Sequence, residues 1–224
     1  MIMLTKKNLI EYQDSILESL KGDVKPRLLL HACCAPCSVH VVKLLNQHFK
    51  ITLFYNGQNI YPQSEYEKRR DEIKRLLILL KAEGLDDVEF IDPKVDIDQF
   101  QKELSFGAQE PEGGLRCQYC YHVRLKQAID YAIEHKFYYV TSVMTISRQK
   151  CSLKINQEAC KIMENEDRII YIYSDFKKRR GNELSSRYCK EYSIYQQDYC
   201  GCIYSLRDKY ERDKRKRKEN ERNV

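Results

Sequence analysis

RLLLHACCAPCSVHVVKLL, residues 27–45, decides how the rest of the chain is read. RLLLHA (27–32) is a short apolar run suited to a buried strand. The stretch from Pro36 to Phe49 carries Val39, Val42 and Leu45 at helical spacing. Between them stand three cysteines in five positions, Cys33, Cys34 and Cys37. Two adjacent cysteines point in different directions and cannot both serve one packing face. Their crowding at a strand end therefore asks for chemistry rather than packing.

Outward from this unit the same alternation continues. ITLFYN (51–56), VEFID (88–92), FYYVTSV (137–143) and RIIYIY (168–173) read as further strands. Helices are expected over residues 5–21, from Ser64 through LLILL to Gly84, over 97–104, from Arg116 to Lys136, over 148–164 and from Glu183 to Tyr199. SEYE (64–67) has the form of a capping box. Strands alternating with helices imply a single Rossmann-like α/β domain, with a mostly parallel sheet, helices on both faces and a C-terminal helical segment. The expected division is an N-terminal helical segment (1–26), the α/β catalytic domain (27–206) and a basic tail (207–224). Ligands of such sheets bind beyond the carboxyl ends of the strands. HACC, YNGQNIYP and TSVMTISR all fall there, so the loops rich in sulfur and polar residues converge on one edge.

Composition narrows the chemistry. The 224 residues are 42% hydrophobic and 32% charged, and no run approaches the roughly 20 apolar residues needed to span a bilayer. The first twenty residues mix charge into an amphipathic pattern and lack the apolar core of a signal peptide. A cytoplasmic protein with no membrane partner is expected. In a reducing cytosol, ten cysteines point to metal binding or redox work rather than a disulfide framework. The net charge is +6, and residues 207–224 hold nine Lys/Arg against five Asp/Glu. Such a tail is either a solvated extension or a sequence-independent grip on phosphates.

Three cysteine groups stand out. Cys117 and Cys120 open the long helix in GLRCQYCYHVRL, with both sulfurs on one face. Together with Cys33, Cys34 and Cys37 they allow three readings: a structural zinc site, an iron–sulfur cluster, or a thioredoxin-like pair in CAPC (34–37). Zinc knuckles usually separate their ligands by two or more residues, whereas the diverging sulfurs of Cys33 and Cys34 suit the spread-out corners of an iron–sulfur cubane. The CAPC reading leaves Cys33, Cys117 and Cys120 without a task. The third group, Cys200-Gly201-Cys202, is either two unrelated free thiols or a pair able to close only a small, strained and easily reduced ring, which suits a redox couple. Cys151, Cys160 and Cys189 lack companions. His31 and Asp175, near strand ends, are proton-handling candidates, although such residues are more often structural. Arg148, Lys150, Lys177, Lys178, Arg179 and Arg180 together make a phosphate footprint at the same edge.

HACCAPCS, YNGQNIYPQSEYEKR, GLRCQYCYHVRL, TSVMTISRQK, SDFKKRRG and YCGCIYS occur in an order that resembles the epoxyqueuosine reductases of the QueH type, from about Leu28 to Ser205. The resemblance implies reduction of the epoxide of epoxyqueuosine, at the wobble position of tRNA, to the alkene of queuosine, without cobalamin. It implies a 4Fe-4S cluster on Cys33, Cys34, Cys117 and Cys120, and a redox-active pair in Cys200 and Cys202. It further implies an additional mononuclear iron, for which Cys37 is the candidate ligand, although some relatives have aspartate there. The partners implied are tRNA carrying epoxyqueuosine and an electron donor that the sequence does not identify. Asn56 and Gly57 depart from the Asn-Pro-Asn wording expected of the YNGQN loop. Two rivals remain open. An ATP-using tRNA thiolase would need glycines in the first loop to approach phosphate, and HACCAPCS has none. A zinc-stabilised RNA-binding module would hold zinc and no sulfide.

Overall fold

The computed structural model describes residues 5–20 and 24–222. Helix α1 (Lys6–Ser19) opens the chain, its first turn closed by a capping box between Thr5 and Asn8. Then follow β1 (Arg27–Ala32), α2 (Ala35–Leu45), β2 (Lys50–Tyr55), α3 (Gln63–Ala82), β3 (Val88–Ile91) and α4 (Ile97–Glu103). The chain continues through α5 (Leu115–Glu134), β4 (Tyr139–Ser142), α6 (Ser152–Ile162), β5 (Ile170–Tyr171), α7 (Gly181–Glu191) and α8 (Ile203–Arg222). All four strand pairings are parallel, in the order β3-β2-β1-β4-β5. The expected α/β architecture is therefore the observed one.

The apolar alternation of β1 explains the two layers. Leu28, Leu30 and Ala32 face a core shared with Val39, Val42 and Leu45 of α2 and with Ile73, Leu76 and Leu80 of α3. Leu29 faces the opposite core with Leu125, Ala128 and Ile129 of α5 and Ile155 of α6. Covered on both sides, β1 is buried from Leu28 to Ala32, as parallel sheets require. The strand order reverses between β1 and β4, so the crevice beyond their carboxyl ends is the switch point where ligands of this architecture bind. Cys33 and Cys34 stand directly on that crevice. No helix among the described residues is long and apolar enough to cross a membrane.

Three local expectations are corrected. SEYE forms no capping box: Pro62 is the N-cap of α3, and Ser64 already lies inside the first turn. The helix expected from 148 begins at Ser152, because Val143–Ile146 winds into a short 3-10 turn capped by the Ser142 hydroxyl on the Met144 N–H. The helix expected to reach Tyr199 ends at Glu191. Arg75 takes the carbonyls of Tyr192 and Ser193 at 2.9 and 3.2 Å, and Glu72 takes the Tyr195 N–H at 2.8 Å. Backbone groups that would have continued α7 are thus spent on α3. The basic tail is helical throughout its described part, as α8.

Candidate functional site

The site starts at the end of β1. The ladder pairs Ala32 with Tyr55 and His31 with Ser142, so three strands finish level with one another. Cys33 and Cys34 follow, both buried. Cys34 is the N-cap of α2, and its carbonyl accepts from the Ser38 hydroxyl at 2.8 Å. Pro36 falls in the first helical turn, where its missing N–H costs nothing. Cys37, half-buried, lies one turn along and within hydrogen-bonding reach of Cys34.

Helix α5 supplies the second group. Gly114 caps it, and the Gly113 N–H donates to the Cys117 sulfur at 3.2 Å. Cys117 and Cys120 are both buried. The third group arrives from the connector after α7. Arg69 of α3, itself paired with Glu65 at 2.8 Å, donates to the carbonyls of Cys200 and Tyr199 at 2.9 and 3.2 Å. The Tyr61 N–H donates to the Gly201 carbonyl at 2.8 Å. Gly201 has φ +144°, and a Cβ there would stand 2.9 Å from Asn59 Nδ2. Cys202 packs with Phe100, Leu104 and Cys120, while its sulfur accepts from the Ser205 N–H at 3.4 Å at the start of α8. Seven cysteines from three distant segments thus meet at one edge, and all ten in the chain are free thiols.

Their electrostatics are coupled. The hydrogen bond with Cys34, followed by burial, raises the Cys33 thiol above its ordinary value. For Cys34 the hydrogen bond from Cys33 pulls downward, but Cys37 and burial outweigh it and push the thiol up to about 12. Burial pushes Cys120 up to about 12 against the pull of Arg124, and raises Cys117 as well. On their own these thiols are protonated; a coordinated metal deprotonates them outright.

Three arginines, Arg69, Arg116 and Arg124, are the largest fully buried side chains described. Arg69 has its carboxylate. Arg116 donates to the Gly107 carbonyl at 2.7 Å and lies over the Tyr204 ring, and Arg124 donates to the Asn56 carbonyl at 2.9 Å. Neither has a carboxylate partner among the described residues, and Arg116 Nε and Nη2 and Arg124 Nε have no hydrogen-bond partner. Lys150 faces Cys200, Cys33, Tyr121 and Cys37; burial works to lower its pKa, and the anionic forms of these neighbours would hold it well above the ordinary lysine value. An unpaired buried charge costs several kcal/mol, so this cation excess fits an anionic occupant. Thiolates carrying an iron–sulfur cluster are such an anion. Among the described residues no three His, Cys, Asp or Glu side chains gather closely enough to hold one metal ion. A cubane asks instead for one thiolate at each iron.

The remaining candidates divide. His31 is buried, with Nδ1 2.8 Å from the Ser142 hydroxyl. Burial, then Arg124, lowers its pKa well below the ordinary value and keeps the ring neutral. Asp175 is buried and accepts the Lys177 and Lys178 N–H groups in the turn after β5. Of the six cations in the expected footprint, Lys150 belongs to the thiol centre. Lys177 donates to the Lys150 carbonyl at 2.8 Å, and burial lowers its pKa. Arg148 donates to the Ser186 hydroxyl at 2.8 Å, Arg179 pairs with Asp14, and Arg180 is held by Glu183 at 2.9 Å. Lys178 is exposed. Sequence reasoning missed Arg69, Arg116 and Arg124; the available signal was a charge at Arg124 one helical turn after Cys120, on the face that carries the thiols.

Residues 28–208 match the family model described as Epoxyqueuosine reductase QueH. Relatives from several bacteria carry that name, three of them as follows. The protein of Streptococcus pyogenes is 35% identical over 84% of this chain and 73% of its own length. That of Staphylococcus aureus is 34% identical over 89% and 85%. That of Haemophilus influenzae is 37% identical over 81% and 72%. Among solved structures, the U34-tRNA thiolase NcsA from Methanococcus maripaludis with its 4Fe-4S cluster aligns at a TM-score of 0.49 and 14% identity, covering 89% of this chain and 69% of that one. The extent and identity of the sequence matches settle the assignment, and the chain belongs to the epoxyqueuosine reductase QueH family of oxidoreductases.

Proposed function

We propose that this chain reduces epoxyqueuosine in tRNA to queuosine at the meeting point of its three cysteine groups. Cys33, Cys34, Cys117 and Cys120 are the ligands of a 4Fe-4S cluster in this reading, and Cys200 with Cys202 is the redox pair. The observation that carries it is the convergence of buried thiols around Arg116 and Arg124, two buried guanidinium groups with no carboxylate. Bound there, the cluster supplies low-potential electrons. Cys37 is the thiol left over beside the cradle and the candidate ligand of a second iron.

The reaction takes two electrons and two protons, and the epoxide oxygen leaves as water. Closing Cys200 and Cys202 into a disulfide releases two electrons and two protons, which balances that demand. An external donor then returns the pair to thiols, and a strained two-cysteine ring is readily reopened. The loop is suited to the task because Arg69, Tyr61 and Ser205 fix its backbone while Cys200 stays half-buried. Lys150 keeps a positive charge beside Cys200 and Cys37, where an oxygen leaving the substrate gathers negative charge.

The target base must be splayed out of the RNA stack to reach this edge. Phosphates around it are held by Lys178 and by exposed cations of α8 such as Lys214, Lys216, Arg217 and Lys218. The test is incubation of anaerobic, iron-replete protein and a reductant with tRNA bearing epoxyqueuosine, followed by nucleoside analysis. Queuosine is the expected product, and its absence from a cluster-replete sample overturns the reading.

A further inference from the structure

Arg124 follows Cys120 by four residues, so both project from one face of α5. Its Nη2 donates to the Asn56 carbonyl after β2 at 2.9 Å, and its charge lies near Cys33 after β1. Asn56 is held in turn: its N–H donates to the Ala32 carbonyl at 2.9 Å, and its side chain donates to Gln127 Oε1 at 2.7 Å. Gln127 then donates to Gln58 Oε1 at 3.0 Å. The arginine therefore ties the helix of Cys117 and Cys120 to the loop of Cys33 and Cys34. It is 1% exposed, its Nε has no partner, and among the described residues no carboxylate balances it. Arg69, equally buried, has Glu65.

We infer that Arg124 is the counter-cation and clip of the cluster, a positioning residue that joins the two halves of the cradle and raises the cluster's reduction potential. The inference rests on the cluster reading above. Each electron added to a cluster makes it more negative, so a fixed cation beside it favours the reduced form.

The test compares wild type, Arg124→Gln and Arg124→Lys, each reconstituted anaerobically, by EPR-monitored redox titration and by iron release to a chelator. Arg124→Gln is expected to keep the wild-type iron and sulfide content with a midpoint shifted to more negative potential. An unshifted midpoint in a cluster-replete Arg124→Gln protein overturns the inference. If that variant does not retain iron, Arg124→Lys decides. It keeps the charge and loses the guanidinium that holds the Asn56 carbonyl, so iron should leave roughly tenfold faster than from wild type. Release at the wild-type rate overturns the inference. A wild-type chain that takes up no cluster sinks the cluster reading instead, and that result is in hand before any variant is compared.

Discussion

Arg69 Nη1 lies 2.9 Å from the carbonyl oxygen of Cys200, linking the middle of α3 to a loop more than a hundred residues later. The same guanidinium binds Tyr199 and Glu65, so it fixes the Cys200–Cys202 loop from outside. Arg69→Met removes the ion-pair partner of a largely buried Glu65, leaving it the Tyr195 hydroxyl, and frees two carbonyls. A loss of about 3–5 kcal/mol is expected for breaking a buried pair in this way. Urea unfolding of the metal-free chain measures it; an unchanged midpoint would show that the loop is anchored elsewhere.

Cysteine variants should separate the two thiol functions. Cys117→Ala removes one ligand from the cradle and should lose absorbance, iron and turnover together. Cys202→Ala leaves the cradle intact and should keep the wild-type cluster spectrum while losing turnover. Normal turnover by Cys202→Ala excludes the redox pair. Metal analysis of the same preparations separates the zinc alternative, since a colourless protein with zinc and no sulfide holds no cluster.

Gly201→Ala probes the loop without touching a sulfur. At φ +144° a side chain adds strain of order 1–3 kcal/mol, and the new Cβ presses on Asn59 Nδ2. Cys200 and Cys202 are then displaced from the cradle. Cluster content should hold while turnover falls on the order of 10²-fold, the usual cost of a misplacement near 1 Å. Full activity would mean that the loop geometry is not used in turnover.

The connector before the Cys200–Cys202 loop gives an acid signature. Glu72 is held below the ordinary carboxylate range, first by its hydrogen bond with Arg75 and then, against burial, by the Tyr195 N–H. A lowered folded pKa stabilises the protein above the unfolded value near pH 4.3, and that stability is lost as pH falls through the folded one. Glu72→Gln should therefore weaken the chain at neutral pH and flatten its loss of stability below about pH 4.5. Thermal unfolding of both proteins from pH 7 to pH 3 checks this; parallel curves would remove Glu72 from the account.

In the proposed reading helix α8 is the phosphate grip, and most of it can be removed at the cost of the Arg207–Ala108 and Lys209–Asp198 contacts. Cutting after Leu206 leaves Ser205 and its hydrogen bonds with Gly201 and Cys202 in place. Binding of tRNA should weaken, and the log–log salt dependence should become shallower by about 0.7–0.9 for each phosphate that the helix had neutralised. Affinity and slope both unchanged would make the helix a solvated extension.

Much of this was legible in the chain itself, for definite reasons. The α/β order could be read because each strand is a short apolar block and each helix has its own period. The edge where HACC, YNGQN and TSVMTISR meet followed from topology alone. The end of α7 could not be read, because Arg75 and Glu72, far upstream, take the backbone groups that would have extended it. Nor could the fate of the cations. Arg179 and Arg180 counted as free charges in the sequence, yet Asp14 and Glu183 hold them. The buried guanidinium groups of Arg116 and Arg124 stayed hidden because a sequence shows a charge without showing what lies opposite it.

Between Cys34 and Cys117 the chain makes α2, β2, α3, β3 and α4. In the proposed reading, a cluster shared by Cys34 and Cys117 would staple the two ends of that stretch together, and its binding free energy would add to the stability of the folded chain.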